Sequence, residues 1–202
     1  MVFAATVGAE PGSRVASFTA AMGTTLDDSA IVDQYVLHGS CYAIQEEQHY
    51  ALKREVAHQF NLEVSRDIFV VGSAKLGFSI APNKRYRYFG DRSDIDIAIV
   101  SHDLYQKVWH EVHSYAESGA DWPRRESCEG YLAWGWIRPD KLPSGRSFTF
   151  ASEWWEFFRA LQRGGKFGPY KVAAGLYHDI EFLRRYQMRA VGSCRTALIE
   201  EN

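Results

Sequence analysis

The sequence predicts an α+β domain, and three observations carry that expectation. Two short apolar, β-branched runs stand at 68–71 and 94–100, and a third candidate stands at 171–177. Apolar residues recur at helical spacing through much of the rest, in 30–60, 104–116 and 180–199. The chain has 202 residues and is 46% hydrophobic, enough to bury a core without disulfides or metals.

Residues 1–30 are rich in Ala, Gly, Ser and Thr and contain Pro11 and Gly12. Their periodicity is weak, so they read as a loose N-terminal arm with at most one short helix. Residues 31–202 then form a single domain. Asp27 and Asp28 offer N-cap chemistry for the segment that follows. Ile31, Tyr35, Tyr42, Ile44, Leu52 and Val56 mark helix through 30–60, and Gly39-Ser40 marks a break between two helices. The run 68–71 ends at Gly72-Ser73, which reads as strand, tight turn and helix start. A polar and aromatic connector, 82–91, leads to the strand 94–100. An amphipathic helix follows over 104–116. Residues 121–150 hold Pro, Gly and Trp and show no clear element. A short aromatic helix is predicted at 152–161, a strand at 171–177 and a closing helix at 180–199.

Composition excludes several function classes. The net charge is −2, so any nucleic-acid contact must come from a local patch. No apolar run approaches the roughly 20 residues that span a bilayer, so no membrane partner is expected. The N-terminus has neither a basic n-region nor an apolar h-region, and no secretory leader is expected. Cys41, Cys128 and Cys194 are scattered and odd in number. They read as reduced thiols of a cytoplasmic protein, without zinc-binding spacing.

The chemistry concentrates in Val70-Val71-Gly72-Ser73 and Ser93-Asp94-Ile95-Asp96-Ile97. Alternate residues of a strand share a face, so Asp94 and Asp96 project side by side. Two adjacent carboxylates raise each other's pKa, and cations relieve the repulsion. Mg²⁺ suits this oxygen set, together with substrate phosphates. Two such ions stabilise the attacking and leaving oxygens of a phosphoryl displacement. Gly72 lets a phosphate approach the backbone closely, and Ser73 adds a hydroxyl. The connector Asn83-Lys84-Arg85-Tyr86-Arg87-Tyr88-Phe89 interleaves basic and aromatic residues, and Arg92 precedes the aspartates. Basic groups there can pair with phosphates and rings can stack on bases; packing on the body is the plainer alternative.

In that order and strand context, Gly72, Ser73, Asp94 and Asp96 resemble the signature of the DNA polymerase β-like nucleotidyltransferase superfamily. The resemblance covers about residues 65–115. It implies a short mixed sheet with helices on one side, flanked by N-terminal helices and a C-terminal helix. It also implies Mg²⁺ or Mn²⁺ held by Asp94 and Asp96, and an NTP or dNTP held by Gly72 and Ser73. Lys75 and Arg92 are the further nucleotide-binding candidates, and Lys84, Arg85 and Arg87 can also neutralise charge. The implied reaction transfers a nucleoside monophosphate to a hydroxyl and releases pyrophosphate. A nucleotide or oligonucleotide is the favoured acceptor. Modification of a partner protein and a non-catalytic NTP-binding module are the alternatives. Size makes the chain similar to small standalone members of toxin–antitoxin and antiphage systems, although the 20 residues between Ser73 and Asp94 exceed the spacing of compact members. Ala74 and Leu76 stand where antitoxin-like members carry basic residues. The family commonly adds a third carboxylate on a later strand. Asp179, Asp140, Glu126, or none, remain open for that role.

Other residues have plainer readings. His110 and His113 fit a helix face, and His178 beside Asp179 fits a structural histidine. Trp134, Trp136, Trp154 and Trp155 can form a base-stacking surface, but core packing is the plainer role. Arg184, Arg185, Arg189 and Arg195 decorate the closing helix, either as a solvated face or as a phosphate-binding stripe.

Overall fold

A computed structural model describes residues 10–200. Four strands, β1 (Ile68–Val71), β2 (Asp94–Val100), β3 (Trp136–Ile137) and β4 (Lys171–Tyr177), form one mixed sheet in the order β1-β2-β4-β3. The central pair β2 and β4 is parallel; β1 and β3 run antiparallel to their neighbours. The bounds of β1, β2 and β4 are those the sequence predicts.

Helices cover both faces of the sheet, which corrects the expectation of helices on one side. Ile68, Val70, Ile95, Ile97, Ile99, Val172 and Leu176 face one core. There they meet α3 (Glu46–Phe60), α5 (His102–Glu117), α6 (Arg125–Ala133) and α7 (Phe150–Arg163). Val71, Ala98, Val100 and Tyr177 face a second core against α1 (Pro11–Met22), α2 (Asp28–Ile31) and α8 (Ile180–Glu200). The reason lies in β2 itself. After Asp96 every residue of the strand is apolar, and a strand apolar on both sides must be covered on both sides.

Helix α1 departs most from the sequence reading. The segment read as a loose arm places Phe18, Ala21 and Met22 at helical spacing, all three buried. The Phe18 ring packs edge-on against Tyr35 and Phe78, with centroids 5.5 and 5.4 Å away. Small and polar residues fill the other positions and dilute the periodic signal. Residues 1–9 of the expected arm lie outside the described residues.

Asp27 caps α2 as expected, its Oδ1 accepting from the Ala30 backbone N–H at 2.7 Å. The helix widens into a π-helical stretch, Val32–Leu37, and the chain breaks at Gly39. Two ion pairs add to the apolar packing of α8 against this region. Arg184 pairs with Asp33, and Arg195 pairs with Asp28 at 2.9 Å. These two arginines therefore serve the fold rather than a phosphate.

Residues 121–150, read as having no clear element, contain α6 and β3. Helix α6 buries only Cys128, so it has little apolar period to read. Strand β3 is two residues long and exists only through pairing with β4. All three cysteines are buried and unbridged. No helix among the described residues is long and apolar enough to cross a membrane.

Candidate active site

The antiparallel register of β1 and β2 sets Val71 opposite Asp96. The chain then turns sharply at Gly72, whose φ of +65° favours glycine. A Cβ built on Gly72 would lie 3.0 Å from Asp96 Oδ2. The strand-end backbone and the carboxylate are therefore immediate neighbours. Ser73 is half-buried, and among the described residues nothing bonds to its hydroxyl. Helix α4 (Gly72–Leu76) is little more than one turn. Its dipole is accordingly small, and the first-turn N–H groups carry the anion-binding potential.

Asp94 and Asp96 share the face of β2 that carries Ala98 and Val100. Asp94 lies beside Lys171, its register partner on β4, with Oδ2 and Nζ 3.9 Å apart. Asp96 is exposed to solvent, although protein atoms crowd closely around its carboxylate. The surrounding protein, which thins its hydration, and then the Asp94 charge push its pKa up to about 6, against opposing pulls from Lys171 and Lys84.

A raised carboxylate pKa has a definite consequence for stability. The folded chain holds the Asp96 proton more tightly than the unfolded chain, so this group's contribution falls as pH rises from about 4 to about 6. Asp96→Asn is therefore expected to be more thermostable than wild type at pH 7.5 in EDTA. The gap should close towards pH 4, as melting curves at the two pH values would read. An equal gap at both would place the titration elsewhere.

The remaining candidates divide. Lys84, from the basic and aromatic connector, acts electrostatically on Asp96. Arg92 is exposed in the turn before β2 and lines a cavity of about 270 Å³ with Arg87, Tyr88 and Ser93. Lys75 goes elsewhere. It is buried and donates to the Gly39 carbonyl, and its electrostatic neighbours are Cys41, Arg14, Glu46 and Lys53. Desolvation pulls its pKa down to about 8. Two positions along a helix turn the side chain about 200° away from that of Ser73.

None of the proposed third carboxylates joins the pair. Ala173 is the β4 residue opposite Asp96. The end of β4 at Tyr177 lies about 13 Å further along, and Asp179 lies beyond it. There Asp179 caps α8, accepting from the Glu181 and Phe182 backbone N–H groups at 2.8 and 3.3 Å, and holds His178 at 2.9 Å. Asp140 pairs with Arg138, Arg124 and Lys141. Glu126 lies in the first turn of α6. Sequence reasoning missed Lys171, whose place beside Asp94 follows only from the parallel pairing of strands 77 residues apart.

Among the described residues no group of three Asp, Glu, His or Cys side chains converges to hold a metal. Two carboxylates remain. Such a donor set fits Mg²⁺ bound jointly with substrate phosphates and does not fit an all-protein cage.

No family model matches this chain, and no curated protein or solved structure is significantly similar to it.

Proposed function

We propose that this chain is a divalent-metal-dependent nucleotidyltransferase of the polymerase β-like type. The observation that carries the reading is the closeness of the Gly72 turn to Asp96, where a Cβ on Gly72 would lie 3.0 Å from Oδ2, so that a glycine turn abuts a paired carboxylate site. Asp94 and Asp96 would hold Mg²⁺ or Mn²⁺. The Gly72 and Ser73 backbone, with the Ser73 hydroxyl, would hold the triphosphate of an NTP or dNTP. Lys84 and Lys171 would offset its charge. The bound cation would supply charge neutralisation at the reacting phosphate. An acceptor hydroxyl oxygen attacks the α-phosphorus, the bond to the bridging oxygen breaks, pyrophosphate leaves, and the hydroxyl proton passes to solvent. The acceptor favoured by this reading is a nucleotide or oligonucleotide.

A second reading is a non-catalytic NTP-binding module. It is favoured by the face of β4 beside the aspartates, which offers Lys171, Ala173 and Gly175 rather than a carboxylate. Incubation with each α-³²P-labelled NTP and dNTP, in Mg²⁺ and in Mn²⁺, separates the two. A labelled free product that disappears in the double variant Asp94→Ala/Asp96→Ala is the expected result. Label retained on protein would point to protein modification instead. Metal-dependent NTP binding with no labelled product, across a panel of oligonucleotide acceptors, would establish the binding module.

A further inference from the structure

Helix α8 and strand β3 bring together residues far apart in the chain. The Arg189 guanidinium lies over the Trp134 ring, 4.2 Å from its centroid, yet Trp134 remains 61% exposed. Nearly one turn earlier on α8, Tyr186 is 42% exposed, and its ring lies 4.7 Å from Trp136. Arg185 and Arg189 are both exposed, and among the described residues neither pairs with a carboxylate. Arg184 and Arg195 differ, since Asp33 and Asp28 hold them.

This patch lies at the Tyr177 end of β4, about 13 Å along the strand from the position opposite Asp96. The Asp96 charge acts on both Tyr177 and Tyr186, and Trp136 stacks parallel to Tyr177 at 5.5 Å. A solvated helix face does not require a tryptophan this exposed, and a core does not admit unpaired guanidinium groups. Exposed rings interleaved with free arginines suit a chain of stackable bases and phosphates. Two arginines that no carboxylate pairs with complement a polyanion, and the overall charge of −2 makes a local patch necessary.

We propose that Trp134, Arg185, Tyr186 and Arg189 form a binding surface for a single-stranded oligonucleotide, which serves as the acceptor of the transfer reaction. The acceptor role rests on the function proposed above; the binding itself does not.

The test uses the full chain in EDTA without NTP, and fluorescence anisotropy of labelled 12-nucleotide dT and U strands. The expected result is binding of at least one strand, weakened by about 5- to 150-fold in Trp134→Ala, the range one stacked base supplies. Trp134→Phe should retain most of the affinity. Arg189→Ala should weaken binding and lower the slope of log K against log salt by about 0.7. Because Trp134 is so exposed, its removal leaves no core cavity, and circular dichroism would verify the fold. Failure of wild type to bind either strand, or equal binding by wild type and Trp134→Ala, would overturn the proposal. So would sedimentation showing that Trp134→Ala dissociates a self-associated chain at unchanged oligonucleotide affinity, which would make the patch a protein interface. Loss of binding in the variants without any labelled transfer product would leave the surface standing and remove the transferase reading. Transfer to an oligonucleotide that Trp134→Ala leaves unchanged would do the reverse.

Discussion

Asp94→Ala and Asp96→Ala are each expected to abolish Mg²⁺-dependent nucleotide binding while the chain stays folded. Both side chains reach solvent, so truncation opens no core cavity. Each variant removes half of a two-carboxylate donor set. Loss of a partner that only orients a metal ligand lowers affinity by about 10- to 100-fold, so loss of a ligand itself should exceed that range. Calorimetric titration with each NTP, with Mg²⁺ and with EDTA, reads the effect. The expected signature is wild-type binding that EDTA removes, and no measurable binding by either variant with or without metal. A variant that binds nucleotide and Mg²⁺ like wild type would move the site away from β2. Gly72→Ala should also impair binding, since its Cβ would crowd Asp96 and its φ is unfavourable for alanine.

Phe18→Ala is expected to destabilise the chain by about 3–5 kcal/mol, the usual range for a buried phenylalanine. Phe18 is fully buried between Tyr35 and Phe78, and α1 supplies one wall of the second core. Urea unfolding followed by tryptophan fluorescence measures the difference. A shift below about 0.5 kcal/mol, typical of surface positions, would mean that this segment is the loose arm that its composition indicates. The loss should also reach the candidate site, because Phe78 and the connector rest on the same core. Phe78 pairs with Tyr88, and the Ser79 backbone N–H donates to the Arg87 carbonyl at 2.9 Å.

Local patterns were enough to locate the elements that build the candidate site. Strand β2 is legible because its carboxylates alternate with isoleucines before the run turns wholly apolar. Strand β4 and helix α8 are legible because each carries its own period. The juxtaposition of Gly72 with Asp96 depends on the antiparallel pairing of β1 with β2 across the intervening α4 and connector. Helix α6 and strand β3 are not legible. One buries a single cysteine, and the other is held entirely by its neighbour.

The residues around the aspartates show where local pattern stops. Lys75 follows Ser73 closely in sequence, yet two positions of helix carry it into the interior towards Gly39. Asp179 follows β4 directly, yet parallel pairing puts it at the far end of the strand from Asp96. Lys171 enters the site from a distant segment without any motif of its own, whereas Lys84 belongs to the basic and aromatic connector. The chain's alternation of apolar and polar residues thus specifies strands, helices and a two-carboxylate face. Strand order, the identity of the elements that cover each sheet face and the lysine beside Asp94 arise from contacts between segments far apart in sequence. Side-chain periodicity records which face of an element is buried, and it carries no information about which other element buries it.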